Sequence, residues 1–387
     1  MTDQRTDSPK QSHQMQQQDH QMQQQDHQAH QQTQQSPEGH PDAPAWLDGE
    51  GLHLADDQLK HKISNKPVSA STISGLIDGC PAKFTFTSLL ADTVIPKTPE
   101  DPRVRGTIFH RACELYYNIA PQERGEHIDF ERFEECKLQA LDENPDMKDD
   151  PGLRAWLESA SQRFCSMGPD STDVTVARYR TDNGTERPAT EMKISLHLDG
   201  VRRRVFGAID RLVAASPDDP RTVIVDDFKT GRKASVYSEH MRFADFSYLR
   251  QQTLYAMLLE HDTRTFENGW NPIGGRLLFP LAEHVTVHDE GSGRDMQLPM
   301  KNGALICLDV KDERHRKRTL EEAARTSDML DHEYETNLYE YRPSNLCAWC
   351  PLARICPAAR ISDRENAQNA ASGQPDAATL APAIVCA

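Results

Sequence analysis

In three successive segments near the middle of the chain, apolar side chains recur at every second position, which is the spacing of a β-strand. They are EMKISLHL (191–198), RRVFGAIDRLVAA (203–215) and RTVIVDDFKTG (221–231). The segment SPDDP (216–220) between the last two predicts a turn. The pattern therefore predicts a hairpin whose second strand ends in charged residues.

Apolar residues with helical spacing flank these strands on both sides. Further strands are predicted at 274–282, 284–289 and 303–310. The predicted helices cover residues 69–79, 106–120, 130–143, 152–167, 245–262 and about 312–337. A group of helices, then a meander of strands, then a helix packed on that meander predicts an α/β or α+β core.

The two ends of the chain differ in composition from its middle. Residues 1–45 contain almost no large apolar side chain and include the repeat HQMQQQD HQMQQQD. Such a tract buries too little surface to offset its ordering entropy, so we expect a disordered tail, with a metal-binding histidine tract as the alternative. We expect a linker at 46–68, a folded domain at 69–360 with a helical insertion at about 106–167, and a second tail at 361–387.

Composition and charge narrow the classes of protein. Hydrophobic residues make up 37% of the 387 residues, and the shortage lies mostly in the tails, so the middle is long enough for a sizeable core. The net charge of -16 argues against a uniformly basic surface for nucleic acid. Local basic patches remain at 201–205, 229–233 and 314–318, although such runs are usually solvated surface.

Targeting signals and motor motifs are not found in the sequence. We see no apolar signal-peptide core and no run of eighteen apolar residues, so we expect a cytoplasmic protein without a membrane span. Its nine cysteines are then expected to be reduced or bound to metal. No phosphate-binding loop of the G-x-x-x-x-G-K-[ST] type occurs, which argues against a built-in ATPase.

The candidate chemistry lies at the end of the predicted hairpin. Asp210 ends one strand, and Asp227 lies near the end of its neighbour, so the two carboxylates can meet at one end of the sheet. Lys229 lies on the same face as Asp227, while Asp226 points the other way, toward a helix terminus or solvent. Two carboxylates suffice for Mg²⁺, and a nearby ammonium can offset charge on a phosphate oxygen. The alternative is a structural ion pair.

These residues and the helix after them resemble the PD-(D/E)XK nuclease superfamily, and most closely its RecB-type exonuclease branch. GAIDRL is similar to that branch's G-x-[ILV]-D-R strand, and DFKTG to its D-[FY]-K-T-G strand. RQQTLYAMLL carries its Q-x-x-x-Y helix, and GTIFHRACE its upstream G-x-x-x-H-x-x-x-E helix. The resemblance implies a restriction-endonuclease-like α/β core, with a central mixed sheet flanked by helices.

The resemblance also assigns roles to individual residues. The ligands of Mg²⁺ or Mn²⁺ would be His110, Asp210, Asp227 and the carbonyl oxygen of Phe228. Lys229 would position or activate the attacking water and stabilise the transition state. The remaining members are Glu191, on the strand before the first aspartate; Gln251, which orients the site; Tyr255, which contacts substrate; and Glu114, which supports the helix or holds His110.

A second motif is formed by cysteines. Cys347, Cys350 and Cys356 have the spacing C-x2-C-x5-C, and three thiolates need a fourth ligand. The resemblance to AddB-type and CRISPR-associated exonucleases of the same branch implies Cys80 as that ligand, and a [4Fe–4S] cluster that staples the N- and C-terminal parts together. Four thiolates also suit Zn²⁺, which is the alternative. The other cysteines are expected to be core thiols or tail residues: Cys113, Cys136, Cys165, Cys307 and Cys386.

These observations lead to an expected function. We expect a Mg²⁺- or Mn²⁺-dependent DNA exonuclease that acts on DNA ends or single strands in recombination, repair or DNA processing. A helicase, recombinase or integrase is the kind of partner that the resemblance implies. The alternatives are an inactive DNA-binding or scaffolding subunit of a recombination complex, a CRISPR-type nuclease that trims ends, and a zinc-stapled protein with no nuclease role.

Overall fold

The computed structural model describes residues 43–124, 128–167, 176–216, 218–237, 246–289, 291–359 and 384–386. The expected tails at 1–45 and 361–387 therefore lie outside the described residues, except for 43–45 and 384–386. No helix within the described ranges is long and apolar enough to cross a membrane.

The first elements are short and pack beside the main sheet. They are β1 (Ala45–Leu47), β2 (Gly51–Leu54), α1 (Asp57–Ser64), α2 (Ala70–Ile73), a π-helical turn (Ser74–Asp78), α3 (Pro81–Leu89) and α4 (Ala91–Val94). The side chain of Asp56 caps α1, and that of Ser69 caps α2. Residues 46–68 thus form two strands and a helix whose apolar side chains join the core, which corrects the expectation of a linker.

A helical layer follows. It contains α5 (Pro102–Asn118), α6 (Pro121–Arg124), α7 (Phe130–Asp142) and α8 (Pro151–Cys165). Aspartate side chains cap α5, α7 and α8, and proline opens α5 and α8, where a missing N–H costs nothing. Phe109 and Phe164 pack in this layer, and Phe164 also meets the ring of Phe228 from the sheet, with ring centroids 5.4 Å apart. The helical layer is therefore fastened to the sheet by aromatic side chains.

The sheet region and the last elements follow in chain order. They are β3 (Arg178–Arg180), β4 (Glu186–Pro188), β5 (Thr190–Leu196), β6 (Val205–Ala214), β7 (Thr222–Phe228), β8 (Lys233–Tyr237), α9 (Phe246–His261), β9 (Asn271–Phe279), β10 (His284–Asp289), β11 (Arg294–Pro299), β12 (Ala304–Leu308), α10 (Glu313–Thr336), β13 (Tyr339–Glu340), a 3₁₀ turn (Asn345–Trp349) and β14 (Ile384–Cys386).

The central sheet has five strands in the order β12-β9-β7-β6-β5. β7 pairs in parallel with β9, and the other neighbours are antiparallel, so the sheet is mixed. Helix α9 connects β8 to β9 and packs against β6, where Gly207 allows a close approach: a Cβ there would lie 2.9 Å from the ring of Tyr255. This architecture confirms the predicted α/β core with a central mixed sheet flanked by helices.

Two smaller sheets extend this core. β8, β10 and β11 form one, and β13, β2, β1 and β14 form the other, which joins the beginning of the described chain to its end. Most predicted helices and strands are present with shifted ends. The short strands β1, β2, β8 and β11 were not predicted, because segments of three to six residues place at most three side chains on each face and so show little periodicity.

Candidate active site

The predicted hairpin brings two carboxylates together at one end of the central sheet. In the β6–β7 register Arg211 lies opposite Asp226, and the next step of that register places Asp210 beside Asp227. Both of these carboxylates are buried, with 9% and 2% of the residue surface exposed. The Phe228 N–H donates a hydrogen bond to the Asp210 carboxylate at 2.6 Å, which fixes that side chain across the two strands.

Asp226 lies on the opposite face and is fully buried. Its carboxylate accepts hydrogen bonds from Arg211 at 2.8 Å and from Arg276 at 2.6 and 2.9 Å. The expected contact with a helix terminus or solvent is therefore wrong. A buried carboxylate needs ionic partners, and two neighbouring strands supply them here.

His110 reaches the same end of the sheet from helix α5. Its Nε2 donates a hydrogen bond to the carbonyl oxygen of Phe228 at 2.9 Å. Its Nδ1 lies 3.5 Å from a carboxylate oxygen of Asp210 and 3.5 Å from one of Glu191. Burial disfavours the charged imidazole, but the two carboxylates outweigh this effect and hold the pKa of His110 well above its usual value.

Glu191 on β5 completes this group from a left-handed backbone conformation, with φ of 46°. The flanking residues keep the β5–β6 register, since Thr190 pairs with Arg211 and Met192 with Ile209. A non-glycine residue in this conformation costs about 1–2 kcal/mol. Strain of this kind accumulates at functional sites, where the surrounding structure holds it in place.

A metal ion fits between these three side chains. Ligand atoms of His110, Glu191 and Asp210 all lie within 4.8 Å of one another, and they are the one such group of histidine, cysteine and acidic residues among the residues described. Two carboxylates and an imidazole suit Mg²⁺ or Mn²⁺, which accept mainly oxygen ligands. The Asp227 carboxylate lies outside this group of three and faces Lys229 instead.

Lys229 and Asp227 form a largely buried ion pair beside the three candidate metal ligands. The Lys229 ammonium lies 2.5 Å from the Asp227 carboxylate, donates to the Gln251 side-chain oxygen at 3.0 Å, and lies 4.5 Å from the centre of the Tyr248 ring. Burial, reinforced by the charge of Asp210, raises the pKa of Asp227 to about 7 despite the opposing charge of Lys229. A carboxyl group with such a pKa can take or release a proton near neutral pH.

Helix α9 presents Gln251 and Tyr255 to this pair. The Gln251 amide nitrogen donates to the Tyr255 hydroxyl at 2.9 Å and lies 3.4 Å from the Asp227 carboxylate. Tyr255 is buried with 7% exposure, and its hydroxyl is linked to the pair through Gln251. Gln251 thus holds both members of the buried pair in place.

A scan against protein-family models gives the decisive comparison. The model of the PD-(D/E)XK nuclease superfamily matches residues 67–357, which is most of the chain. The chain belongs to this superfamily. Membership implies a nuclease that depends on divalent metal and has DNA as its substrate.

Two other comparisons add little to this assignment. A search of curated proteins finds no match. Among solved structures, the crystal structure of SSO0001 is 11% identical, with 66% of this chain and 85% of that chain covered, but the TM-score is 0.23. A TM-score this low carries no argument about the present chain.

Glu114, the last residue of the G-x-x-x-H-x-x-x-E motif, was expected to support its helix or to hold His110. Its carboxylate accepts a hydrogen bond from Arg111 at 2.7 Å. Arg111 also binds Glu143 at the end of α7, at 2.9 Å. Glu114 therefore supports the packing of α5 on α7, and no hydrogen bond or ion pair joins it to His110 among the described residues.

The sequence motifs did not reveal what holds helix α9 of the nuclease in place. Arg250, next to Gln251, is fully buried and donates hydrogen bonds to Ser74 and Glu322, each at 2.7 Å, and to Asp78. A buried guanidinium with partners on the π-helical turn and on α10 fixes the register of a helix. The position of Arg250 beside the Q-x-x-x-Y motif is the one signal that could have indicated this role.

The four predicted cysteines lie around one pocket, although they are far apart in the chain. Cys80 precedes α3, and Cys347, Cys350 and Cys356 surround the 3₁₀ turn. Backbone N–H groups of Arg342 and Ser344 donate to the sulfurs of Cys80 and Cys347, each at 3.4 Å. None of the four is in a disulfide. Burial raises the pKa of the Cys350 thiol to about 12.

Proposed function

We propose that this protein is a metal-dependent exonuclease of the RecB/AddB-type branch, acting at DNA ends or on single-stranded DNA in recombination, repair or DNA processing. The observation that carries the proposal is the meeting of Asp210, Asp227 and Lys229 with His110 and Glu191 at one end of the sheet. In a chain of this superfamily, such a group has the parts that phosphodiester hydrolysis needs.

The proposed metal ligands are His110, Glu191 and Asp210, whose ligand atoms form one group, and Asp227 beside them is a further ligand proposed from the family pattern. A divalent cation bound there supplies Lewis acidity, which polarises a phosphoryl oxygen and lowers the pKa of a water molecule. The Phe228 carbonyl is the further ligand proposed from the family pattern. It now accepts the hydrogen bond from His110, and through this bond it orients the imidazole.

Lys229 is the proposed catalytic cation. Its side chain is largely buried, and its ammonium is held by Asp227 and Gln251, so its direction is fixed before substrate arrives. From there it can hold the attacking water and offset the charge that develops on the phosphate. The carboxylate of Asp227 raises the pKa of Lys229 against the effect of burial, so the ammonium keeps its proton at neutral pH.

We further propose that Cys80, Cys347, Cys350 and Cys356 hold a [4Fe–4S] cluster. A single Zn²⁺ ion with sulfurs at about 2.3 Å in a tetrahedron requires sulfur–sulfur distances of about 3.8 Å. The four sulfurs lie around one pocket, and the resemblance to AddB-type and CRISPR-associated exonucleases is what favours an iron–sulfur cluster over a zinc ion.

The nuclease activity is tested with anaerobically purified protein and linear single- and double-stranded DNA, with closed circular DNA beside them. We expect degradation of linear DNA with Mg²⁺ or Mn²⁺, sparing of closed circles, and loss of activity with EDTA. Lys229→Ala should abolish degradation. Lys233→Ala removes an exposed lysine four positions later and should retain it.

Each result has a distinct meaning. Cleavage of closed circular DNA would show that the protein is an endonuclease and would overturn the proposed exonuclease. A folded, cluster-loaded protein that binds DNA but cleaves nothing with either metal would overturn the enzyme and leave the DNA-binding subunit. Activity that appears only with an added helicase, recombinase or integrase would assign the protein to a complex with that partner.

The cluster is tested separately by iron and sulfide analysis and by visible absorption. We expect about four irons per chain, from the proposed cluster type. Cys350→Ser should lower the iron content, whereas Cys307→Ser changes an exposed cysteine outside the pocket and should retain it. One zinc ion per chain and no visible absorption would contradict the cluster.

A further inference from the structure

A broad groove opens onto the candidate metal ligands. His110 and Glu191 form part of its lining. Helix α5 forms one wall, and the hairpin of β3 and β4 contributes to the other through Tyr179 and Arg187. The groove therefore connects solvent with the reacting end of the sheet.

Most of the charged side chains that line this groove are already paired. Two of its acidic residues already have cationic partners: Glu114 binds Arg111, and Asp182 lies 3.2 Å from Arg264. Arg264 is further occupied by Asp262 at 2.7 Å. The members of each pair neutralise one another. Apart from the candidate metal ligands, the remaining cations then decide the charge of the groove.

Arg187 and Lys193 are those remaining cations. Both are exposed and line the groove, and Lys193 lies two residues after Glu191 on β5. Among the described residues, neither lies within ion-pair distance of a carboxylate. In a chain with a net charge of -16, two free cations beside metal ligands are notable because most acidic surface would repel nucleic acid.

A second groove reaches the site from the other direction, past Gln251 and Tyr255. Serines and apolar or aromatic side chains line it, and no lysine or arginine is among them. The two grooves share no lining residue. A polyanion is therefore attracted to the first groove and not to the second.

We infer that the first groove binds the DNA strand that enters the site, with Arg187 and Lys193 holding its backbone phosphates next to the scissile one. This inference rests on the proposed function and adds the path of the substrate and two positioning residues. Cations that contact phosphates fix the position of a strand without reading its sequence. Preference among DNA sequences should therefore not depend on these two residues.

Binding is measured apart from cleavage. All variants carry Asp227→Asn, and the probe is a fluorescein-labelled oligothymidine followed by anisotropy. Arg187→Ala/Lys193→Ala should weaken binding by about tenfold. The slope of log affinity against log salt should fall by about 1.4, because two single-strand phosphate contacts are lost. The control Arg294→Ala/Lys301→Ala removes two exposed charges from the β11 region and should bind as the parent does.

Kinetics with the catalytic residues intact provide the second measurement. The double variant should raise KM for the oligothymidine about tenfold, whereas the control Arg294→Ala/Lys301→Ala should leave it unchanged, because only Arg187 and Lys193 line the groove. If the native protein cleaves DNA but the double variant and its control have equal KM, the proposed role of the groove is overturned and the proposed nuclease activity is not. Weaker binding by the double variant in a protein that does not cleave would support the groove while the nuclease fails. If the native protein does not bind the probe, the proposed role of the groove in binding DNA is overturned.

Discussion

Asp226 and Asp227 are consecutive and buried, yet their carboxylates have opposite surroundings. Asp226 lies between the guanidinium groups of Arg211 and Arg276. Asp227 faces Lys229 and the charge of Asp210, and its pKa rises to about 7. The strand β7 thus carries a carboxylate held by two guanidinium groups on one face and a carboxylate with a raised pKa on the other.

The first prediction compares the two residues. Asp226→Asn should lower the free energy of unfolding by about 3–5 kcal/mol, because two buried guanidinium groups lose their partner. Asp227→Asn should cost much less, because its charge is already disfavoured by burial, but it should abolish DNA cleavage. Urea unfolding at pH 8 and a nuclease assay measure both effects. A larger stability loss for Asp227→Asn than for Asp226→Asn would contradict this division.

The second prediction concerns the backbone of Glu191. Because its φ is 46°, glycine is favoured there over any residue with a Cβ. Glu191→Gly should therefore be more stable than Glu191→Ala by about 1 kcal/mol. Both should lose metal affinity equally. Urea unfolding of the two variants measures the difference, and equal stability would show that the backbone relaxes once the carboxylate is gone.

The third prediction concerns metal binding. Mn²⁺ at a hundredfold excess over its Kd should raise the free energy of unfolding by about 2.7 kcal/mol. Asp210→Asn should remove most of this gain, since it replaces one of the grouped ligands. Asp146→Asn changes an exposed carboxylate and should keep the gain. Thermal unfolding with and without Mn²⁺ measures it, and an equal gain in Asp210→Asn would place the metal elsewhere.

The fourth prediction concerns Glu333 on α10, far from the metal ligands in the chain. It is 5% exposed, and burial raises its pKa to about 8 although Arg342 and Arg203 oppose the shift. Because the folded pKa lies above the unfolded one, the contribution of Glu333 to stability is fully present below about pH 4.5 and is lost as the pH rises through 8.

The comparison variant for this titration is Glu333→Gln, which cannot ionise. Between pH 5 and pH 9, the free energy of unfolding of the native chain should fall by about 3 kcal/mol relative to this variant. Glu335→Gln alters an exposed carboxylate on the same helix and should show no such relative change. A constant difference between native protein and Glu333→Gln across this range would contradict a raised pKa.

Much of this site could be predicted because strands impose a simple rule on side-chain direction. A period of two and a short turn were enough to bring Asp210 beside Asp227 and Lys229 to the same face. The resemblance added His110 and Glu191, whose approach from other elements no local period could show. The roles given to these residues stay predictions until the variants are measured.

Other features depend on tertiary contacts that sequence periodicity does not contain. The partner of Asp226 on β9, Arg276, comes from a strand fifty positions later in the chain. The partners of Arg250 lie on two separate segments, the π-helical turn and α10. The expectation of a linker at 46–68 failed because short strands gain their stability from neighbours. Pairings across long sequence separations are fixed by packing and not by local pattern.

The anchoring of α9 links two distant parts of the molecule. Asp78, which binds Arg250, lies two residues before Cys80 at the cysteine pocket, and Arg250 is followed by Gln251, which holds Lys229. A structural change at the cysteine pocket can therefore reach the Lys229 ammonium through these contacts. Oxidative damage at the cysteines would then first lower the rate of DNA cleavage, while the protein still folds and still binds DNA.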